Sequence, residues 1–393
     1  MIVAQKLVKG SVYFDSKPLE GASVYLNNTM LGTTTNEKGE FTITVNKGNY
    51  ELIVSYLGFE TMVYNLNIAE YKNPLRFNMQ ESRNQLDEIV VKKIVYDDEW
   101  KYNLEVFKKE FLGASELAKD CKILNKEVLG FNFDAKKNKL EAFARKPIEI
   151  KHNKLGYLIK FDLISFERSG NQVSYLGYTR YAPLKGGKRK QRRWKKNRLT
   201  AYKGSPVHFF KSLMNKNLVK EGFVVNQFRR ELNPDRPSEE EIKNARELLK
   251  LNNNFSVIDL SNKKPKNYTA LDSAMAVLRK VRLPKYKDYL YKSQLKEKEI
   301  VTAQKNLFKL VFKDNLLVVY KGEKEEVGYL KMNPFSKKLR EPTFQTSNMI
   351  PLVKDIYFDK NGSLTNPLAL FYEGYWSYEK FSHSLPLDYK PEE

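Results

Sequence analysis

The side chains able to do polar chemistry are few and scattered. The chain holds three histidines, His152, His208 and His383, and one cysteine, Cys121. Three residues beyond the histidines stand Leu155, Lys211 and Pro386. No His-x-x-Glu pair exists, so the ligand set of a zinc carboxypeptidase is not expected. A lone cysteine allows neither an intrachain disulfide nor a cysteine zinc site, and Cys121 is expected as a small buried apolar group. Ser205 stands close to His208, but no His–Asp set is arranged with it in sequence, and triads form in space rather than along the chain. His208 therefore reads as a packed or capping residue. Asn36-x-x-Gly39 reads as a turn. No phosphate-binding glycine loop, dinucleotide fingerprint or Asp-x-Asp-x-Asp-Gly loop occurs. No catalytic residue, metal ligand or cofactor is assigned.

The chemically dense segment is Lys185–Arg198, in which nine of fourteen residues are cationic. Its candidate anion-binding residues are Lys188, Arg189, Lys190, Arg192, Arg193, Trp194, Lys195, Lys196 and Arg198. Such density creates a potential that attracts phosphate. Trp194 would add stacking or anchor at a lipid headgroup boundary. Gly186, Gly187 and the lack of an apolar period place the first half of the run on a loop after a strand at 173–182. Three uses compete: a solvated loop, a surface for an acidic envelope partner, and a nucleic-acid site. The last has the least support. A single-strand groove interleaves aromatics with cations, one Trp serves the whole run, and no DNA-reading motif accompanies it.

The elements that must position these groups differ sharply in charge. The chain carries 69 Lys and Arg against 47 Asp and Glu, a net +22. Residues 1–80 hold seven of each sign, which leaves 62 basic and 40 acidic residues beyond them. The whole excess belongs to the C-terminal part, and it favours anionic partners. With 41% apolar and 13% aromatic residues, the 393-residue chain has material for two or three domains. No run of about 18 apolar residues occurs, so no membrane-spanning helix is expected.

Residues 6–80 alternate apolar and polar positions in short runs. Val8, Gly10, Val12 and Phe14 share one face; Ala22, Val24 and Leu26, then Phe41, Ile43 and Val45, then Tyr50, Leu52, Val54 and Tyr56 repeat the pattern. Period two with turn residues between the runs predicts an all-β, two-sheet sandwich. This stretch resembles the carboxypeptidase regulatory-like family of transthyretin-like sandwiches. The matching residues are Gly10-x-Val12, Pro18-Leu19-x-Gly21-Ala22-x-Val24-x-Leu26, Gly32-Thr33-x-Thr35, Gly39-x-Phe41-x-Ile43 and Gly48-x-Tyr50-x-Leu52-x-Val54-Ser55-x-x-Gly58-Phe59. The resemblance implies a non-catalytic module of the kind found on outer-membrane receptors and other cell-envelope proteins of Bacteroidetes-type bacteria. It implies no peptidase activity.

Residues 1–5 read as the tail of a signal peptide ending near Ala4 or as an N-terminal extension; with Met1 as the true start the address would be cytoplasmic. Residues 81–97 read as a linker. Its Leu86-Asp87-Glu88-Ile89-Val90-Val91 segment is similar to the one joining this module to the plug of TonB-dependent receptors, and reads here as a module-ending strand.

Residues 98–385 read as a basic α+β domain with an antiparallel sheet, followed by a tail at 386–393. Trp100, Leu104, Phe107 and Phe111 form a helical stripe ending at Gly113. Strands are expected at 139–150, 155–168, 173–182, 307–313, 316–321, 326–331, 353–359 and 368–379. Helices are expected from Ser205-Pro206, from the capping box at Ser238 and from Thr269. Asn361-Gly362 marks a turn.

The function this reading supports is a non-catalytic binding or assembly protein of the periplasm or outer membrane. Its partners would be an envelope protein complex, anionic lipid or lipopolysaccharide. A hydrolase with an unrecognised C-terminal site and a nucleic-acid-binding protein stay open as alternatives.

Overall fold

The structure, a computed structural model, describes residues 5–82, 94–251, 269–332 and 339–391. The signal-peptide reading at residues 1–4 and the Leu86–Val91 segment lie outside the described residues.

The N-terminal sandwich uses β1 (Lys6–Phe14), β2 (Lys17–Pro18), β3 (Ser23–Leu26), β4 (Gly32–Thr34), β5 (Glu40–Val45), β6 (Asn49–Ser55), β7 (Met62–Asn67) and β8 (Leu75–Asn78). One sheet runs β2-β1-β5 with β8 parallel to β1, and the other runs β4-β3-β6-β7. The alternating residues face each other as expected: Val8, Val12, Val24, Leu26, Leu52 and Val54 are fully buried between the sheets. The Asn36 turn closes on itself, its Oδ1 accepting from the backbone N–H groups of Lys38 and Glu40 at 3.0 and 2.8 Å. Gly39 is required there. Its φ is +72°, and a Cβ would meet the Val12 carbonyl oxygen at 2.6 Å.

Residues beyond the linker form antiparallel sheets with helices, an α+β arrangement built around two main cores. The first begins with α1 (Asp98–Leu112), whose Trp100, Leu104, Phe107 and Phe111 are buried as the stripe predicts. Asp97 caps its start by accepting from Trp100 N–H, and Gly113 ends it at φ +95°. The helix packs on a six-stranded sheet made of β9 (Cys121–Ile123), β10 (Leu129–Asp134), β11 (Lys139–Ala144), β12 (Ile148–His152), β13 (Tyr157–Ser169) and β14 (Gln172–Pro183). The run expected as one strand at 139–150 is two, divided at Arg145–Pro147, where proline has no N–H to give a ladder. Cys121 lies in this core, and burial pushes its thiol up to about 12.

Next come α2 (Lys188–Tyr202) and α3 (Pro206–Met214). The chain around the second core then forms β15 (Phe223–Leu232), the helix pair α4 (Glu239–Leu251) and α5 (Ala270–Lys280), which pack on each other in a small cluster of their own, and β16 (Tyr286–Lys292). It continues through β17 (Val301–Gln304), β18 (Leu307–Leu310), β19 (Asn315–Lys324), α6 (Val327–Leu330) and β20 (Phe344–Pro351). It ends with β21 (Tyr357–Phe358), β22 (Leu370–Gly374) and α7 (Tyr375–Glu379). Its main sheet runs β16-β15-β19-β20-β22, with a small sheet β17-β18-β21 beside it. The Ser205, Ser238 and Thr269 caps all form: each hydroxyl accepts from the N–H three residues on.

Several expectations are corrected here. Residues 326–331 are a helical turn rather than a strand; three apolar or aromatic positions in so short a run do not distinguish the two periods. The strand expected at 353–359 is only Tyr357–Phe358. The long strand lies earlier, at β20, where the buried positions include Gln345 and Ser347. Polar residues on the inward face hide the alternation that sequence patterning relies on. The run 368–379 bends at Gly374, φ +73°, from β22 into α7.

The sandwich is fastened to the first core by the hairpin joining β3 and β4. Asn28 N–H donates to the Thr179 carbonyl at 2.8 Å, and Tyr181 N–H donates to the Thr29 carbonyl at 3.0 Å. Tyr25 O–H donates to the Asp162 carboxylate at 2.5 Å. The segment expected as a tail joins this contact: Leu387 N–H donates to the Asn28 carbonyl at 2.7 Å, and the Asp388 carboxylate accepts from Met30 N–H at 3.2 Å.

Candidate functional site

The first half of the basic run, expected on a loop, is non-helical only through Gly187; Lys188–Tyr202 is continuous α2. Arg, Lys and Gln are good helix formers, so a turn signal from Gly186-Gly187 ends where the helix begins. One side of α2 is anchored. Trp194 is only 3% exposed, and its Nε1–H donates to the Asn153 carbonyl at 2.8 Å. Asn197 Nδ2 donates to the Lys154 carbonyl at 2.8 Å, and Arg198 Nε donates to the Leu155 carbonyl at 2.8 Å. Residues 194, 197 and 198 share one face by helical spacing. Together they satisfy successive carbonyls of the turn between β12 and β13. The Arg198 guanidinium also lies 4.1 Å over the Tyr157 ring.

This corrects two assignments. Trp194 is a core anchor and is unavailable for stacking or a headgroup boundary. Arg198 is turned inward and caps carbonyls. The other candidates, Lys188, Arg189, Lys190, Arg192, Arg193, Lys195 and Lys196, are exposed around the rest of the helix. Among the described residues, Lys188, Arg189, Lys190, Arg192, Arg193 and Lys196 make no ion pair or hydrogen bond through their side chains. No acidic residue stands in the first turn of α2. Cations crowd the positive end of a helix dipole, and the i,i+3 and i,i+4 neighbours Arg189, Arg193 and Lys196 repel one another.

The Ser205–His208 neighbourhood has a different geometry from a nucleophile–base pair. Ser205 Oγ accepts from the backbone N–H of His208 at 3.2 Å and caps α3. The Nδ1 of His208 accepts from Gly204 N–H at 3.1 Å, so Nε2 carries the proton and faces Glu221 at 3.3 Å. Neither ring nitrogen is free to take a proton from Ser205. His208 is packed against the rings of Tyr202 and Phe223, as its packed reading expects.

A cleft of about 510 Å³ lies where the sandwich hairpin, β14, the α2–α3 junction and the chain after β22 meet. Its walls include Tyr178, Tyr202, Tyr372, Trp376 and Tyr389. Its lining holds Glu51, Lys211, Lys380 and the closely spaced Glu379 and His383, whose side chains are 7% and 8% exposed. His383 Nδ1 donates to the Glu379 carbonyl at 2.9 Å, leaving Nε2 as an acceptor 4.0 Å from Glu379 Oε1. Burial lowers His383 to about 4. Burial, with the charges of Glu323 and Glu326, raises the Glu379 carboxyl well above the carboxylate range. Sequence reading missed this site. The Glu379-x-x-x-His383 spacing was its one visible signal; Glu379 ends the run expected as a strand at 368–379, and His383 lies just beyond it.

Comparison with known proteins identifies the sandwich. Residues 8–91 match the CarboxypepD_reg-like domain family. No curated protein matches the chain. Among solved structures, a DUF3823 family protein from Bacteroides ovatus aligns at 9% identity over 47% of this chain and 83% of its own, with a TM-score of 0.17. A 9R-lipoxygenase from Cyanothece aligns at 8% identity over 56% of this chain and 48% of its own, also with a TM-score of 0.17. Neither superposition is close enough to carry an argument.

Proposed function

We propose that this protein is a non-catalytic binding or assembly component of the bacterial cell envelope, facing the periplasm or the outer membrane. The CarboxypepD_reg-like sandwich serves as its docking or spacer module, and α2 holds an acidic partner. That partner is a phosphate-bearing surface, anionic lipid or lipopolysaccharide, or an envelope protein complex presenting such a face. The carrying observation is the outer face of α2, where six side-chain cations lack a counter-charge among the described residues. A helix gains no stability from that arrangement, and an external anion would relieve it. The envelope address is supported by the sandwich family, which decorates such proteins.

The test replaces Arg189, Lys190, Arg192 and Arg193 together by Gln, which keeps helix propensity. Co-sedimentation is measured on vesicles containing lipid A or phosphatidylglycerol, on neutral phosphatidylcholine vesicles, and on single- and double-stranded nucleic acid. The proposal expects retention on the anionic vesicles, loss of about tenfold or more in the variant, and little retention on neutral vesicles. Equal retention of both proteins contradicts it. Variant-sensitive retention on nucleic acid alone transfers the helix to that class of partner.

A further inference from the structure

The cleft between the sandwich and the two C-terminal cores contains polar groups that the protein itself leaves unused. Glu379 and His383 are each more than nine-tenths buried by side chain, yet neither Glu379 carboxyl oxygen nor His383 Nε2 makes a hydrogen bond among the described residues. The phenol oxygens of Tyr175 and Tyr372, which line the same cleft, are also without a hydrogen-bond partner among the described residues. Among the described residues none of these atoms is sealed from solvent, so each opens onto the cleft, where one occupant can pair them together.

The protonation states set what that occupant offers. His383 is neutral with its Nδ1–H committed to the Glu379 carbonyl, so Nε2 can only accept. Burial and its acidic neighbours favour the protonated form of the Glu379 carboxyl, which can donate. A donor and an acceptor 4.0 Å apart fit one group that both accepts and donates. A hydroxyl oxygen about 2.8 Å from each closes that triangle at roughly 90°. Tyr178, Tyr202, Tyr372 and Tyr389 supply flat apolar walls around this polar point, suited to the C–H faces of a sugar ring. A carboxylate or phosphate at the same spot would face the lone pair of His383 Nε2.

We propose that this cleft binds a neutral polyhydroxylated ligand, an oligosaccharide, with one hydroxyl seated between Glu379 and His383 and sugar faces stacked on the tyrosine walls. The site is separate from the basic face of α2 and takes a ligand of opposite character.

Saturation-transfer NMR and calorimetry on the full chain test it with maltohexaose, cellohexaose, xylohexaose, mannohexaose and chitohexaose as probes. At least one probe is expected to bind more tightly than about 1 mM. Glu379→Leu, which removes the donor, is expected to weaken that probe about tenfold or more, and Tyr178→Ala likewise. Glu379→Gln still donates through its amide and is expected to stay within about threefold of the parent. Thermal unfolding checks that each variant folds; Tyr178 is half-exposed, so its truncation keeps the test available if Glu379→Leu does not fold. Failure of every probe to bind the parent chain overturns the assignment. Binding that survives both Glu379→Leu and Tyr178→Ala also overturns it, as does capture of a proline-rich peptide with no saccharide bound.

Discussion

Trp194 sits where two glycines leave room for an indole. A Cβ on Gly156 would lie 2.3 Å from the ring, and one on Gly186 would lie 2.6 Å from it. Gly156 also has φ +72°, a region costly for any other residue. Gly156→Ala is therefore expected to destabilise the fold by about 1–3 kcal/mol in urea unfolding, from overpacking and backbone strain together. A change under about 0.5 kcal/mol would contradict the anchoring role. His152 offers a second residue-scale test. Its Nε2–H donates to the Ser382 carbonyl at 2.9 Å, and burial lowers it to about 4 from an ordinary 6.5. The unfolded chain thus binds the extra proton, so this contribution is complete above pH 6.5 and lost as pH falls toward 4. Its size is on the order of 3 kcal/mol. His152→Gln is expected to flatten the stability–pH profile across that window relative to the parent; an unchanged slope would show that His152 does not titrate as described. At this scale the sequence was partly legible. His208 as a packed residue and Cys121 as a core group follow from residue type. The inward roles of Trp194 and Arg198 depend on a turn some forty residues away and leave no local mark.

At the scale of elements, legibility followed local chemistry. Helices with side-chain caps and amphipathic stripes, α1, α3, α4 and α5, were readable because a few neighbouring residues define them. Sandwich strands were readable because apolar residues alternate cleanly. The strands β15, β16 and β20 were missed where polar residues take the alternating positions: Gln227 on β15 and Gln345 and Ser347 on β20 are buried, and β16 is exposed along nearly all its length. The basic run was misread because glycine turn signals were given more weight than helix propensity. Its helical state carries its own prediction. Cations at the start of α2 oppose the helix dipole and repel one another, so the four-Gln variant is expected to be as stable as the parent or more stable, by on the order of 1 kcal/mol. A loss of more than about 1 kcal/mol in low salt would mean that these side chains hold the fold together, and that their exposure has a structural purpose.

Across the whole molecule, charge and architecture are divided in the same way. The neutral sandwich matches the CarboxypepD_reg-like domain family, and the basic remainder packs against it through the Asn27–Leu31 hairpin and the segment after Pro386. That docking gives the module a fixed place beside the first core, and it creates the cleft that holds Glu379 and His383. Neither the docking nor the cleft was readable in the sequence, because both arise from contacts between segments more than a hundred residues apart. The central claim is that α2 presents its cations to an external anion. Its most direct test is a salt titration of the parent chain on lipid A vesicles, from about 0.05 to about 0.5 M. The account predicts that retention falls steeply and continuously with salt and that the four-Gln variant shows a much shallower dependence. Retention that is insensitive to salt, or a salt dependence that the four substitutions leave unchanged, would contradict it.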